Sequence, residues 1–325
     1  MKRKIIIAGG TGFIGTALIK HFAEKDEVIV LTRGIKNTQT NLYQQHTAPG
    51  NIPNTRYILW DAASKGNWTQ ELEGAGMVIN LCGKSVNCRY TQKNKEEIFS
   101  SRTQPTSILG EVIRDCLAPP KLWINAASAT IYRHATDRPQ DEYTGEIQND
   151  FSVQVCKAWE KSFFDILTPF TRKVALRMAV TLGNDGVIIP YFNLLKFGLG
   201  GRQGSGKQMY SWVHIRDTCN IIEWIYDHNE MEGVYNCCSP DPVTNEVFMK
   251  TLRKVTGHKF GLPAYEWMLK IGAGIIGTET ELILKSRWVL PTKLLQTGYR
   301  FEFDSINKAF TDIVNQTPRK AYHLF

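Results

Sequence analysis

The chain predicts an α/β architecture, a doubly wound parallel sheet with helices on both faces and a smaller C-terminal lobe on the substrate side. Two observations carry this expectation. Short apolar runs alternate with helix-patterned stretches through the first half, and a glycine-rich turn links the first run to the first helix. The strand-like runs are Ile5 to Ala8, Val28 to Thr32, Tyr57 to Trp60, Met77 to Leu81 and Leu122 to Ala127. In a sheet of this kind ligands gather at the carboxyl ends of the strands, so the residues after each run become the candidates.

The first run ends in Gly9-Gly10-Thr11-Gly12-Phe13-Ile14-Gly15, and beyond it Ile14, Ala17, Leu18 and Phe22 recur at helical spacing. Strand, glycine turn and helix in that order form a cradle for a dinucleotide pyrophosphate. Glycine lets the backbone approach phosphate oxygens, and the open amides and dipole of the helix start attract negative charge. After the second run, a carboxylate would hydrogen-bond the ribose 2′-OH of NAD, but the slot holds Thr32 and Arg33, with Lys36 close behind. A guanidinium there forks onto a 2′-phosphate and favours NADP(H) over NAD(H). Asp61, after the third run, either reaches the adenine edge or caps a turn.

Two polar stretches, Gly34 to Thr55 and Lys84 to Gln104, interrupt the alternation and read as loops or lids. A glycine cluster from Gly198 to Gly206 reads either as a mobile cover over a substrate or as a flexible surface excursion. From about Glu246 the texture changes to short helices broken by Gly272, Gly274 and Gly277, with a last helical run from Ser305 to Val314. The expected division is a dinucleotide-binding domain over residues 1–238, with 181–211 contributing to the substrate side, and a lobe over 239–325.

Composition limits the alternatives. Across 325 residues, 42% apolar content supports a large core. The N-terminal apolar run is four residues long before its glycines, too short for a signal sequence or a membrane span. Seven cysteines, two adjacent at Cys237 and Cys238, show no C-x-x-C spacing and suggest a reducing, cytoplasmic setting without a metal centre. The net charge of +8 is scattered along the chain, which suits a small anionic ligand better than nucleic acid.

Several motifs together carry a family resemblance. They are the glycine turn, Leu31-Thr32-Arg33, Asn80-Leu81-Cys82-Gly83, Ser100-Ser101-Arg102-Thr103, Ala127 to Tyr132, Cys156 to Glu160, Gly204 to Gln208 and Trp212 to Asp217. The chain resembles an atypical extended short-chain dehydrogenase/reductase of the "epimerase family", sugar-nucleotide epimerase-like, and the likeness continues through Ser239 to Asn245 and from Leu262 to Phe303. The resemblance implies a Rossmann fold, a nicotinamide cofactor contacted by Leu81, Cys82, Gly83 and Arg102 as well as the glycine turn, and a cytosolic enzyme. Short-chain dehydrogenases move a proton through a Tyr-x-x-x-Lys pair while hydride passes to or from the nicotinamide. Here those positions hold Ser152 and Cys156.

Three residues are therefore the candidates for catalysis. Ser128, at the end of the fifth run, is placed to hydrogen-bond a substrate oxygen. Tyr132 is a proton donor if a cation such as Arg102 lowers its pKa, and a packing residue otherwise. Cys156 is reactive only if its thiol pKa is lowered. Further along, Arg177 serves an anionic group or a buried pair; Trp212, Lys207 and Gln208 read as substrate contacts, and Asp217 as a helix N-cap beside His214. The reading is an NADP(H)-binding oxidoreductase or epimerase-like enzyme acting on a small hydroxyl or carbonyl compound, with a nucleotide sugar as one form of it. The competing reading is a catalytically silent protein that responds to NADP(H).

Overall fold

Alternating strand residues of the first half segregate onto two faces, and that segregation builds the molecule. The computed structural model describes residues 2–34, 52–269 and 284–324. Seven strands form one parallel sheet: β1 (Lys4–Ala8), β2 (Glu27–Thr32), β3 (Thr55–Leu59), β4 (Met77–Asn80), β5 (Leu122–Ser128), β6 (Arg172–Met178) and, later in the chain, β10 (Gly233–Cys237). Their order across the sheet is β10-β6-β5-β4-β1-β2-β3. Ile5, Ile7, Val28, Val30, Met77 and Ile79 face Leu18, Ile19 and Phe22 of α1 (Phe13–Ala23) and Ile221, Ile222 and Ile225 of α5 (Ile215–Asp227). Ile6, Ile29, Leu31, Val78 and Trp123 point the other way, onto Ile108, Leu109 and Val112 of α2 (Gln92–Asp115) and Phe163 of α3 (Phe151–Phe164). The period of two along each strand thus gives both faces an apolar surface, as a sheet covered on both sides requires.

The stretch expected as a loop from Lys84 to Gln104 is half helix, since α2 begins at Gln92. The Thr91 side chain caps it, accepting from the Asn94 amide at 3.3 Å. Its first turns are polar apart from the adjacent Ile98 and Phe99, of which Ile98 is buried, and two neighbouring apolar residues leave no readable period. The other expected loop lies largely outside the described residues, as do Lys36 and the glycines at 272, 274 and 277.

A third apolar cluster belongs to the second half. It joins Leu182, Tyr191, Phe192 and Leu195 of β7 (Val180–Leu182) and α4 (Ile188–Lys196) with Phe248 and Leu252 of α6 (Asn245–Val255) and Phe310 and Ile313 of α8 (Ile306–Asn315). Short strands β8 (Met209–Tyr210) and β9 (Trp212–His214) pair with β11 (Val243–Thr244) and β7. One more helix, α7 (Thr292–Gln296), packs on β10. Segments on both sides of residue 238 share this interior.

The glycine cluster at 198–206 is braced. Gly201 and Gly204 donate to the carbonyls of Leu262 and Ala264 at 3.0 and 2.8 Å, Leu262 donates back to Gly198 at 2.8 Å, and the Gln203 amide reaches Asn245 Oδ1 at 2.7 Å. These bonds hold the segment as a strap on the second lobe, in place of a mobile cover or a flexible excursion.

Candidate functional site

β1 continues to β2 on one side and lies beside β4 on the other, so the direction of winding reverses between β1 and β4. That reversal opens a crevice at the carboxyl ends of the two strands. The glycine turn fills its floor. Gly9 has φ +74°, and a Cβ on it would lie 3.0 Å from the Cys82 amide, so both the turn and the neighbouring strand end demand glycine. A Cβ on Gly15 would meet the Gly10 carbonyl oxygen at 2.4 Å, which seats α1 directly on the turn. Gly12 differs: nothing lies within 4 Å of a Cβ placed there.

No side chain caps α1 and its first turn has no acidic residue. The first amide bonded back is Thr16, to Gly12 at 2.8 Å, which leaves those of Phe13, Ile14 and Gly15 without a protein partner among the described residues. Open space over Gly12 and three unclaimed amides fit a dinucleotide diphosphate. The Phe13 ring turns away, against Gly183 and Gly186, and Ile14 packs on the core.

At the end of β2, Thr32 is buried, its hydroxyl donating to the Gly34 carbonyl at 3.1 Å, and Arg33 is exposed beside it. Arg33 acts electrostatically on Cys82, so it stands near the turn. Asp61 closes a turn: its carboxylate accepts from the amides of Ala63 and Ser64 at 2.9 and 2.8 Å and from the Ser64 hydroxyl. These bonds, the hydroxyl's first, draw its pKa down to about 2. Of its two readings, the turn cap is the one observed.

Leu81, Cys82 and Gly83 line the other wall. The Leu81 amide donates to Ala8 at 2.9 Å, and that of Cys82 to Asn80 Oδ1 at 3.1 Å. Asn80 in turn donates to Asn125 Oδ1 at 2.7 Å and Thr106 Oγ1 at 3.0 Å, and Trp159 Nε1 donates to the same hydroxyl at 3.1 Å. This buried network fixes the end of β4 and the middle of β5 to α2 and α3. Sequence reasoning missed it, although an asparagine in each of two otherwise apolar strands is its signal. Burial pushes the Cys82 thiol up to about 12, which makes it a packing thiol.

Ser128 ends β5, half-buried, its hydroxyl accepting from the Thr130 amide at 3.2 Å. Tyr132 is 1% exposed. Its hydroxyl donates to Asn236 Oδ1 at 3.1 Å and accepts from Arg177 Nη1 at 2.8 Å. Burial raises its pKa despite Arg177. Arg177, not Arg102, is therefore the cation at this phenol, and it is held by Glu160 in a two-pronged pair at 2.7 and 2.8 Å. Tyr132 belongs to a closed network and is no open acid.

Cys156 is buried, its thiol pushed up to about 11 by burial ahead of the opposing pull of Arg102. Arg102 reaches from α2 to donate to the carbonyls of Ile98 at 2.9 Å and Lys84 at 3.0 Å, stacks 5.1 Å over Trp159 and touches Gly83. It has no carboxylate partner among the described residues, and burial lowers its pKa.

The remaining expected contacts resolve differently. Trp212 is fully buried and donates to the Asp241 carbonyl at 2.8 Å, and Gln208 is buried and donates to that of Gln203 at 2.9 Å; both are internal. Lys207 is exposed. The N-cap of α5 is His214, whose ring accepts from the Arg216 amide at 3.3 Å. Asp217 lies one turn in, where its carboxylate accepts from the amides of Glu302 and Phe303 at 2.9 and 3.0 Å. It ties α5 to the C-terminal segment. Among the described residues no group of His, Cys, Asp and Glu could hold a metal, and no helix is long and apolar enough to cross a membrane.

A parallel sheet with this turn at its winding reversal defines a Rossmann-type nicotinamide-dinucleotide-binding protein. The NAD-dependent epimerase/dehydratase family model matches residues 5–157, and a domain of unknown function, DUF1731, matches 266–313. The chain is 30% identical to an epimerase family protein of Staphylococcus saprophyticus, over 95% of this chain and 99% of that one. It is 28% identical to the epimerase family protein SDR39U1 of mouse, over 96% and 99%. The structure of human SDR39U1, solved with NADPH, superposes with a TM-score of 0.81 at 27% identity, covering 96% of this chain and 99% of that one. A UDP-N-acetylglucosamine 4-epimerase of Methanobrevibacter ruminantium shares the fold, with a TM-score of 0.73 at 15% identity. The chain belongs to the epimerase family, as an atypical short-chain dehydrogenase/reductase with a C-terminal DUF1731 domain.

Proposed function

We propose that this chain is an NADP(H)-dependent oxidoreductase or epimerase-like enzyme acting on a small anionic hydroxyl or carbonyl compound, a nucleotide sugar being one such form. The observation that carries the reading is the glycine turn at the crevice floor, with Arg33 exposed at the β2 end where a carboxylate would select NAD. The amides of Phe13 to Gly15 hold the diphosphate, and Arg33 forks onto the 2′-phosphate. The bound nicotinamide supplies hydride chemistry. Ser128, at the crevice side of β5, fixes a substrate oxygen by hydrogen bonding. The smaller lobe, with the braced strap at 198–206, covers this end of the sheet.

A second reading has its own observation. Tyr132 is sealed and Cys156 is a high-pKa thiol, so neither is an available acid, and this favours a silent NADP(H)-responsive protein. The fluorescence of protein-bound NADPH, followed while carbonyl compounds and nucleotide sugars are added, separates the two. Substrate-dependent oxidation supports the enzyme; tight binding with no turnover across the panel supports the sensor.

A further inference from the structure

Two segments of the second half run side by side and leave large apolar side chains uncovered. The strap at 198–206 and the segment 260–264 are bonded to each other, the Leu262 amide donating to the Gly198 carbonyl at 2.8 Å and the Gly201 amide to that of Leu262 at 3.0 Å. Phe197 leads into the strap and is 68% exposed, and along the other segment and just beyond it Phe260, Leu262, Tyr265 and Trp267 are exposed by 85%, 65%, 51% and 64%. Uncovered apolar side chains gathered in this way mark an interaction surface. With half or more of their surface in solvent, they stand out from the chain and do not line a groove.

The charge around these segments is almost all of one sign. Lys196, Arg202 and Lys207 lie on or beside the strap with no carboxylate between them, and Lys250, Arg253, Lys254 and Lys259 follow in a stretch from Val247 to Tyr265 that also has none. Spread along the sequence, the two groups meet in space. A Cβ on Gly261 would run into Arg253, and one on Gly200 would lie 3.2 Å from the same side chain, so the end of α6 packs against both segments. Arg253 donates to the Gly200 carbonyl at 2.9 Å, and Arg202 to those of Gly204 and Ser205 at 2.8 and 3.0 Å, bonds that orient the guanidinium groups without cancelling their charge. Lys207, Lys250, Lys254 and Lys259 are exposed, and among the described residues none of these cations forms an ion pair. His258 stacks on His323 at 4.2 Å, which brings the exposed Arg319 and Lys320 to the same end of the lobe. Against all of these stand two bracketing carboxylates, Glu246 and Glu266.

We propose that this end of the second lobe docks on the surface of an anionic lipid bilayer. The exposed side chains enter the headgroup layer, where Tyr and Trp place an apolar body beside a polar tip, and the surrounding lysines and arginines meet lipid phosphates. Charge complementarity sets the sign of the surface, and the apolar side chains select a bilayer over a polyanion such as a nucleic acid. Leu262 offers no face for a base to stack on, and side chains that stand clear form no channel for a strand. Contact of this kind lies on the membrane and needs no spanning helix, in accord with the helices among the described residues. It is independent of the cofactor reading.

The test is flotation of the full chain with vesicles of phosphatidylcholine alone and of phosphatidylcholine with about one third phosphatidylglycerol, at low salt and at about 0.5 M salt. Wild type is compared with Phe260→Ser/Trp267→Ser, with Lys254→Glu/Lys259→Glu and with a control, Leu117→Ser/Leu167→Ser, which alters exposed apolar residues in the loops before β5 and β6. Folding is checked by circular dichroism; alanine in place of serine, and glutamine in place of glutamate, replace any variant that does not fold. The expected result is binding to the vesicles that contain phosphatidylglycerol and not to the others, weakened by salt. The lysine pair should lower the affinity about a hundredfold and the apolar pair about tenfold or more, with the control unchanged. No binding to the anionic vesicles, equal binding to both kinds, or patch variants that bind like wild type overturns the proposal. A wild type that ignores the vesicles but binds a single-stranded oligonucleotide, or that self-associates in sedimentation through Phe260 and Trp267, overturns it too and names the occupant instead.

Discussion

The open space over Gly12 makes a sharp prediction for Gly12→Ala. The backbone there is φ −83°, ψ 179°, a conformation that any residue adopts, and an added methyl meets nothing within 4 Å. Alanine lowers the entropy of the unfolded chain, a gain of about 0.4–1 kcal/mol, and is a poorer N-cap than glycine by a similar amount. The two effects offset, so stability should stay within about 0.5 kcal/mol of wild type, a shift in Tm of about 2 °C or less. The methyl would occupy the volume assigned to the diphosphate. Displacing that group from two amides costs about 3 kcal/mol at the lower end for charged hydrogen bonds, or about a hundredfold in affinity. Thermal unfolding without ligand and fluorescence titration with NADPH measure the two halves independently. A variant as stable as wild type that binds NADPH equally well would refute the placement of the diphosphate.

Other expectations follow from the same geometry. Arg33→Ala should weaken NADPH by about tenfold to a hundredfold and NADH by no more than a few fold; the difference should shrink as salt is raised, because Arg33 is exposed, and equal losses would remove its role. Glu160→Gln leaves the Arg177 charge without its partner under Tyr132 and should cost about 3 kcal/mol, seen as a lowered urea midpoint; an unchanged midpoint would show the pair to be dispensable. Burial holds the His214 pKa down to about 4, below the ordinary 6.5, so the unfolded chain takes up this proton first. Stability from this group is therefore complete above pH 6.5 and falls as pH drops toward about 4, and His214→Asn should flatten that part of the Tm profile.

What the sequence made legible is what local pattern encodes. Five strands and the glycine turn stood out because each is a short apolar run ended by a chain reversal. β6 and β10 did not, because Arg172, Lys173 and Arg177 interrupt the one and Gly233 and Asn236 the other. Their polar residues point to partners far along the chain: Arg172 to the Met231 and Ile225 carbonyls, Arg177 to Glu160 and Tyr132, Asn236 to Tyr132. The two readings of Tyr132, proton donor or packing residue, stayed open for the same reason, since the residues that occupy its hydroxyl lie 45 and 104 positions away. Asp217 sat near a helix start and read as its cap, but its acceptors serve amides 85 and 86 residues on.

The order of the sheet also has a consequence for how the chain is made. The strand that leaves the ribosome first, β1, ends up near the centre, and β2 and β3 extend the ribbon outward on one flank before β4, β5, β6 and β10 extend it on the other. Every newly emerged strand thus finds its neighbour already synthesised, and no slot must be held vacant for a segment still to come. Growth from the middle keeps just two margins exposed at any moment, and each is closed off by the next arrival.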